Sequence, residues 1–223
     1  MPSQHEEDLL IEFFLNKLSI VQGNCIEIGV NNFSPTGDIQ CNTHKLLSEG
    51  WKGVWIDAFF DHPNVYKKFV TPENILEIFK DINSPDVVDF FSIDIDSTDW
   101  YVMQALLDSH YKFRLICTEV NGYHDKWADL IMPENHQRPT KSRCFGATLL
   151  AYQKLFLIKG YELVGVTSNG VNAFWVPKED AALFEHAGDY DFHYRKTDIK
   201  NNWSRDHISD LYTTAEAQLF GLR

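Results

Sequence analysis

The chain lacks the sequence features that mark secreted, membrane-spanning and zinc-binding proteins. Its four cysteines form no CxxC pair, and Cys25 and Cys117 lie inside apolar runs, so we expect small buried side chains in a reducing compartment. The N-terminus, MPSQHEEDLL, is acidic and polar, unlike a signal peptide. No apolar run approaches the roughly 20 residues that a transmembrane helix needs. The sequence therefore predicts a soluble, cytoplasmic protein.

Positive charge is scarce as well. The chain has 20 Lys and Arg against 32 Asp and Glu, which gives a net charge of −12. No basic run interrupts this excess of acidic residues. Such a protein is poorly suited to bind phosphate backbones or anionic membranes. We therefore expect neither nucleic acid nor a membrane as a partner.

What the chain does have is enough apolar material for one sizeable core. Hydrophobic residues make up 44% of its 223 residues, which is typical of a folded globular domain. No internal repeat, low-complexity segment or linker divides it. The sequence predicts a single domain over residues 1–223, with a core at about 20–180, an N-terminal helix and a C-terminal extension.

The segment Val87–Gly122 has the pattern strand, helix, strand. Both predicted strands are continuous apolar runs, which is typical of a parallel sheet covered on both faces. A right-handed crossover between them brings their carboxyl ends to one edge of the sheet. Asp94, Asp96, Glu119 and Asn121 follow these ends. We expect them to converge there, where open α/β sheets bind ligands.

Further strands and helices alternate on either side of this segment. The predicted strands and helices are a helix at 6–18, a strand at 25–30, a helix at 42–49, strands at 53–59 and 65–70, a helix from 71, a helix at 146–159, strands at 161–167 and 171–177, and a short helix at 215–220. The Ser168-Asn169-Gly170 turn is typical of a hairpin. This order predicts an α/β fold: a Rossmann-like, seven-stranded, mostly parallel sheet with an antiparallel last strand and helices on both faces. The irregular segment at 123–143 is long enough to be a functional loop.

Four motifs resemble those of class I S-adenosylmethionine (SAM)-dependent methyltransferases. They are EIG at 27–29, GWKGVWIDA at 50–58, SIDID followed by TEVNG, and the stretch from GATLLAY to the last hairpin. The similarity covers about residues 24–180 and extends to methyltransferase-like proteins with SIDID and EYN motifs. It implies SAM as cofactor. The cofactor-binding residues that it implies are Glu27, Gly29, Val30, Asn31, Asp57, Ala58 and Asp94.

Each implied cofactor residue also has an ordinary structural interpretation. Gly29 can let a ligand approach the backbone closely, or it can simply end a strand. Asp57 can accept hydrogen bonds from ribose hydroxyls, or it can be a solvated loop residue. Glu27 is expected to orient the following loop or the amino group of SAM. That loop holds Asn31 where the family pattern is rich in glycine.

The oxygen-bearing residues after the two central strands resemble the metal site of the O-methyltransferases that act on catechols and macrolide sugars. The resemblance implies Asp94, Glu119 and Asn121 as ligands, and oxygen donors suit Mg²⁺ or Mn²⁺. Val120 separates the last two residues, which departs from the adjacent pair of the catechol enzymes. The alternative is a group of carboxylates that caps a helix, a role best suited to Asp99.

The expected catalytic residues are Asp94, Asp96 and His124, of which His124 is the best general-base candidate. His44 and His136 are weaker candidates. The sequence thus predicts a SAM-dependent O-methyltransferase that acts on a hydroxyl of a small polar acceptor, most readily a sugar or glycan, with help from a divalent metal.

Two alternatives to this function stay open, and a third is disfavoured. The first is a metal-independent methyltransferase that uses a His or Asp base. The second is a non-catalytic methyltransferase-like domain that binds a ligand or partner. A nucleic-acid methyltransferase is disfavoured by the charge and by the absence of an (N/D)-P-P-(Y/F) tetrad. The oligomeric state is open, a homodimer included.

Overall fold

A seven-stranded sheet forms the centre of the computed structural model, which describes residues 6–30, 41–134, 143–197 and 213–220. The strand order is β3-β2-β1-β4-β5-β7-β6. β7 runs antiparallel to both of its neighbours, and the other pairs are parallel. The strands are β1 (Asn24–Ile28), β2 (Lys52–Asp57), β3 (Val65–Lys67), β4 (Val87–Ile93), β5 (Lys112–Glu119), β6 (Tyr161–Val166) and β7 (Asn172–Pro177). The predicted Rossmann-like α/β fold is confirmed.

Helices cover both faces of this sheet. They are α1 (Glu7–Lys17), α2 (His44–Ser48), α3 (Ile75–Asp81), α4 (Asp99–Leu107), α5 (Leu149–Ile158), α6 (Tyr190–His193) and α7 (Ala215–Phe220), with a 3₁₀ helix at Lys178–Leu183. The sequence predicted neither α6 nor the 3₁₀ helix, because one or two turns carry too little periodicity. α3 begins at Ile75 instead of Thr71, since the N–H of Asn74 and that of Ile75 both bond to the carbonyl of Thr71 in a preceding turn.

Two apolar clusters lie on the opposite faces of the sheet. One includes Phe91, Trp100 and Trp175, and the other includes Phe14 and Phe174. Burial on both faces explains why the central strands are continuous apolar runs. All four cysteines are buried free thiols, as predicted for Cys25 and Cys117. No helix in the described part of the chain is long and apolar enough to cross a membrane.

β1 lies at the point where the strand order reverses. It pairs with β2 on one side and β4 on the other. The backbone hydrogen bonds continue past the end of β1: Gly29 N donates to Ile56 O, and Asp94 N donates to Ile28 O, both at 2.9 Å. The carboxyl ends of these strands therefore meet at one edge. This is the switch point at which ligands bind in open α/β sheets.

Candidate functional site

A cavity of about 790 Å³ opens at this edge of the sheet. Its volume is in the range of ligand pockets in proteins. Of the residues expected to bind the cofactor, Glu27, Gly29, Val30, Asp57, Ala58 and Asp94 line it, and Asn31 lies outside the described residues. The structure thus brings residues from the ends of β1, β2 and β4 around one space.

The described lining of the cavity is strongly acidic. It includes one lysine, Lys68, and six carboxyl-bearing residues, which are Glu7, Glu27, Asp57, Asp94, Asp96 and Glu119. Such a wall repels anionic groups and attracts cationic ones, most strongly where water is excluded.

Gly29 is required by the packing of the sheet itself. Its φ is +89°, and a β-carbon at this position would lie 1.6 Å from the carbonyl oxygen of Asp94. Only glycine fits a left-handed backbone in such close contact. The predicted reason, close approach of a ligand, is therefore not needed to explain this glycine, although its backbone does line the cavity.

Glu27 holds the loop that leads into α2. Its Oε1 accepts a hydrogen bond from Asn42 N at 2.8 Å, and its Oε2 accepts from Thr43 N at 2.8 Å and Thr43 Oγ1 at 2.6 Å. Burial raises the pKa of Glu27 in spite of these bonds. Of its two expected roles, orienting the loop is the one for which the structure shows contacts.

Asp57 shapes the turn after β2. Its Oδ1 accepts hydrogen bonds from Phe59 N and Phe60 N, both at 2.6 Å. These bonds fix the direction of a half-buried carboxylate on the cavity wall. Asp57 is therefore a held side chain and not a freely solvated loop aspartate.

Asp94, Asp96 and Glu119 form an acidic triad. Each offers a carboxylate oxygen, and these three oxygens lie within 4.8 Å of one another. Burial, followed by repulsion from neighbouring carboxylates, raises the pKa of Asp94 and of Glu119 well above their ordinary values. Glu119 Oε2 is also fully buried and has no hydrogen-bond partner among the described residues. Such an arrangement favours either a retained proton or a bound cation.

Asp99 fixes the loop between β4 and α4. Its Oδ1 accepts from Ile95 N at 2.7 Å, and its Oδ2 accepts from Ser97 N at 2.9 Å. Burial raises the pKa of Asp99 to about 6 against the effect of these bonds. Both bonds go to the loop before α4 and not to free N–H groups of the helix, so these contacts do not show the capping role predicted for Asp99. They position Asp96, which lies between the two bonded residues.

The structure does not bring Asn121 to the acidic triad, contrary to the prediction of a metal ligand. Asn121 Nδ2 donates to Arg143 O at 2.7 Å and to Phe145 O at 2.9 Å. The side chain therefore anchors the chain that returns toward α5. It lines a separate small cavity together with His124.

His124 is likewise absent from the described lining of the large cavity. Burial lowers its pKa, and Tyr194 Oη donates to its carbonyl oxygen at 3.0 Å. The placement does not support its predicted role as general base. His44 stacks on Trp55 with ring centroids 6.3 Å apart, and His136 lies outside the described residues.

Glu7 and Asn172 are among the cavity-lining residues that the sequence did not predict. Glu7 lies in the first turn of α1, and Asn172 begins β7 opposite Glu119. Asn172 Nδ2 donates to Glu7 Oε1 at 3.0 Å. The sequence does not predict this contact, because acidic residues are common in the first turn of any helix.

Comparisons with known proteins returned structural likeness alone. No protein-family model and no curated protein sequence matches the chain. Among solved structures, the MycE methyltransferase from the mycinamycin biosynthetic pathway, in complex with Mg, SAH and mycinamycin VI, has a TM-score of 0.45 at 13% identity, over 78% of this chain and 50% of that chain. A second crystal form of MycE with Mg and SAH has a TM-score of 0.44 at 14% identity, over 90% of this chain and 52% of that chain.

The chain thus spans about half the length of the MycE chains that it matches. At this identity and score, the likeness gives no information on function beyond the fold that the strand order already shows.

Proposed function

We propose that the protein is a SAM-dependent O-methyltransferase. The proposed acceptor is a hydroxyl of a small polar molecule, most readily a sugar or glycan. The observation that carries the proposal is the acidic cavity at the switch point, which combines a held carboxylate after β2 with the acidic triad after β4 and β5.

The charge of this cavity favours SAM over the other ligands that Rossmann-like folds bind. Dinucleotides carry a pyrophosphate, which requires N–H groups or cations on the wall. Here the described wall carries six carboxyl groups and one lysine. SAM has no phosphate, and its sulfonium and ammonium groups are positive. Asp57 stands where a carboxylate can accept hydrogen bonds from the ribose hydroxyls.

The acidic triad fits a divalent metal such as Mg²⁺ or Mn²⁺. Asp94, Asp96 and Glu119 would hold it, because carboxylate oxygens are the ligands that these hard cations prefer. In this proposal Asp96 takes the place that the sequence assigned to Asn121. When bound, the metal would lower the pKa of the acceptor hydroxyl.

The residues of the chain itself can accept the proton that methyl transfer releases. In the reaction the methyl group passes from the sulfonium sulfur to the acceptor oxygen, and neutral SAH leaves. When the triad holds a metal, the hydroxyl proton passes to water; in the metal-independent alternative it moves to a carboxylate oxygen of Asp94 or Glu119, and burial and repulsion between carboxylates raise the pKa of both groups. This role replaces the one predicted for His124.

Calorimetric titration of SAM and SAH, with and without Mg²⁺ or Mn²⁺, tests the proposal. We expect both compounds to bind, and we expect the turnover of sugar and polyol acceptors, followed as SAH release, to require the metal. Asp94→Asn should abolish turnover, whereas the control Asp86→Asn, at an exposed carboxylate near His110, should not. If neither SAM nor SAH binds under any condition, the enzyme proposal fails and a non-catalytic ligand-binding domain remains.

A further inference from the structure

The first turn of α1 contributes a buried carboxylate to the wall of the large cavity. Glu7 is 1% exposed, yet it belongs to the lining. Its Oε1 accepts from Asn172 Nδ2 at 3.0 Å, and Oε1 of the preceding Glu6 accepts from Ser168 N. Two consecutive glutamates thus tie the helix to the β6–β7 hairpin. The Glu7 carboxylate is therefore held in a fixed position before any ligand arrives.

Glu7 lies on the same side of the sheet as Glu27. Burial raises the pKa of the Cys117 thiol of β5, and the charges of Glu7 and Glu27 raise it further, which places both carboxylates near the same point of the sheet. The carboxylate of Glu27 already accepts three hydrogen bonds from Asn42 and Thr43. Its geometry is committed to the loop before α2, and Glu7 is the other carboxyl-bearing residue that lines the cavity on this side.

We infer that Glu7, oriented by Asn172, binds the amino group of the methionine part of SAM. The inference rests on the proposed function and assigns a recognition residue within it. An ammonium group offers three N–H donors and a positive charge, which suit a desolvated carboxylate. The ordinary interpretation, an acidic residue that favours the helix dipole, does not explain why Glu7 is buried against β7 while it lines the cavity.

Glu7→Gln tests this assignment because it removes the charge and keeps the shape. Binding is measured by calorimetry for three ligands: SAH, decarboxylated SAH, which keeps the amine, and 5′-methylthioadenosine, which lacks both amine and carboxylate. We expect the variant to bind the two amines at least about tenfold more weakly, the size of one charge-assisted hydrogen bond. Methylthioadenosine should bind the variant and the wild type within about twofold, which also shows that the variant is folded.

Glu6→Gln is the matched control. It makes the same charge change one residue away, and it affects the other bond between helix and hairpin, but Glu6 is not part of the described lining. It should leave all three affinities nearly unchanged. Equal affinity of wild type and Glu7→Gln for SAH overturns the inference, as does an equal loss for SAH and methylthioadenosine. A wild-type protein that binds none of the three ligands overturns the proposed function and this inference together.

Discussion

Replacing Asp94 with Asn should stabilise the ligand-free protein at pH 8. Three carboxylate oxygens lie within 4.8 Å of one another in the acidic triad. Two unit charges at that distance repel by about 3.5 kcal/mol at an effective dielectric constant near 20. Solvent at the half-buried Asp94 weakens this repulsion, so we expect Asp94→Asn to raise the free energy of unfolding by about 2 kcal/mol. That corresponds to a rise of roughly 4–8 °C in melting temperature for a chain of this length.

The pH dependence follows from the raised pKa values of Asp94 and Glu119. A carboxyl group whose pKa is higher in the folded state binds more protons there, so the free energy of unfolding falls as pH rises from the unfolded pKa through the folded one. Wild-type stability should therefore decline on the alkaline side of pH 4. The advantage of Asp94→Asn should be largest at pH 8 and should vanish near pH 4.

Thermal unfolding at pH 4, 6 and 8, with and without 5 equivalents or more of Mg²⁺ or Mn²⁺, measures both effects. Metal should stabilise the wild type and leave Asp94→Asn nearly unchanged, because the variant lacks a ligand. Asp86→Asn should behave as wild type throughout. An Asp94→Asn variant that is less stable than the wild type by the same amount at every pH would refute the reasoning. It would show that Asp94 serves a hydrogen-bonding role and that repulsion in the triad is negligible.

Three further variants test the structural assignments. Gly29→Ala should lower the free energy of unfolding, measured by denaturant titration, by more than about 3 kcal/mol, because its β-carbon would lie 1.6 Å from the carbonyl oxygen of Asp94. Gly160→Ala is the control: its φ is also positive, at +79°, but an added β-carbon would meet no other part of the chain within 4 Å. It should cost about 1 kcal/mol in the same titration. Asp99→Asn should destabilise by about 1–3 kcal/mol, since an amide cannot accept from both backbone N–H groups. In wild type, the buried carboxyl group of Asp99 loses its proton between pH 4 and about 6, and stability should fall over this range. Asp99→Asn should show a smaller fall. An unchanged pH profile would contradict the assigned pKa. Gly122→Ala should release the C-terminal segment, because its β-carbon would lie 2.2 Å from Thr197 Oγ1. We expect a protease to cleave the variant faster than wild type at sites C-terminal to residue 186. An unchanged cleavage rate would contradict this expectation.

The sequence predicted the sheet and most of the acidic triad for the same physical reason. Continuous apolar runs mark strands buried on both faces, and parallel strands end at a common edge. Asp94, Asp96 and Glu119 follow directly from that rule. The helix boundaries shifted by a few residues because turns at helix ends have the same composition as helix starts.

The rule that residues after parallel strands converge at one edge of the sheet does not hold for Asn121. It lies two residues after Glu119, so an ideal strand would direct both side chains to the same face. The strand ends at Glu119, and the backbone then leaves the sheet: Asn121 N donates to Ala147 O at 2.8 Å, and Gly122 N donates to Val120 O at 2.9 Å. A turn at this point rotates the following side chains. Its geometry depends on the distant segment at 145–147, which no local pattern reveals.

The segment after β5 is fixed by the C-terminal part of the chain. Tyr190 Oη donates to Lys126 O at 2.5 Å, and Thr197 N donates to Gly122 O at 2.9 Å. Ion pairs join Lys126 to Asp191 at 2.5 Å and Lys196 to Asp125 at 2.8 Å. Residues 122–126 are therefore held by side-chain and backbone groups that lie about 65 or more positions later.

This clamping gives Asn121 and His124 a role that differs from the one their positions predicted. Both line the small cavity beneath the C-terminal segment, and both take part in the contacts that hold the chain there. The chemistry at the sheet edge then falls to Asp94, Asp96 and Glu119, whose positions depend on the β4–β5 pair and on Asp99. Residues 122–126 follow closely after Glu119 of the acidic triad, where the proposed acceptor binds, so substitutions that loosen them should weaken acceptor binding before they weaken SAM binding. SAH affinity and acceptor KM, measured side by side in Gly122→Ala, separate the two effects. A loss of SAH affinity as large as the rise in KM would contradict this expectation.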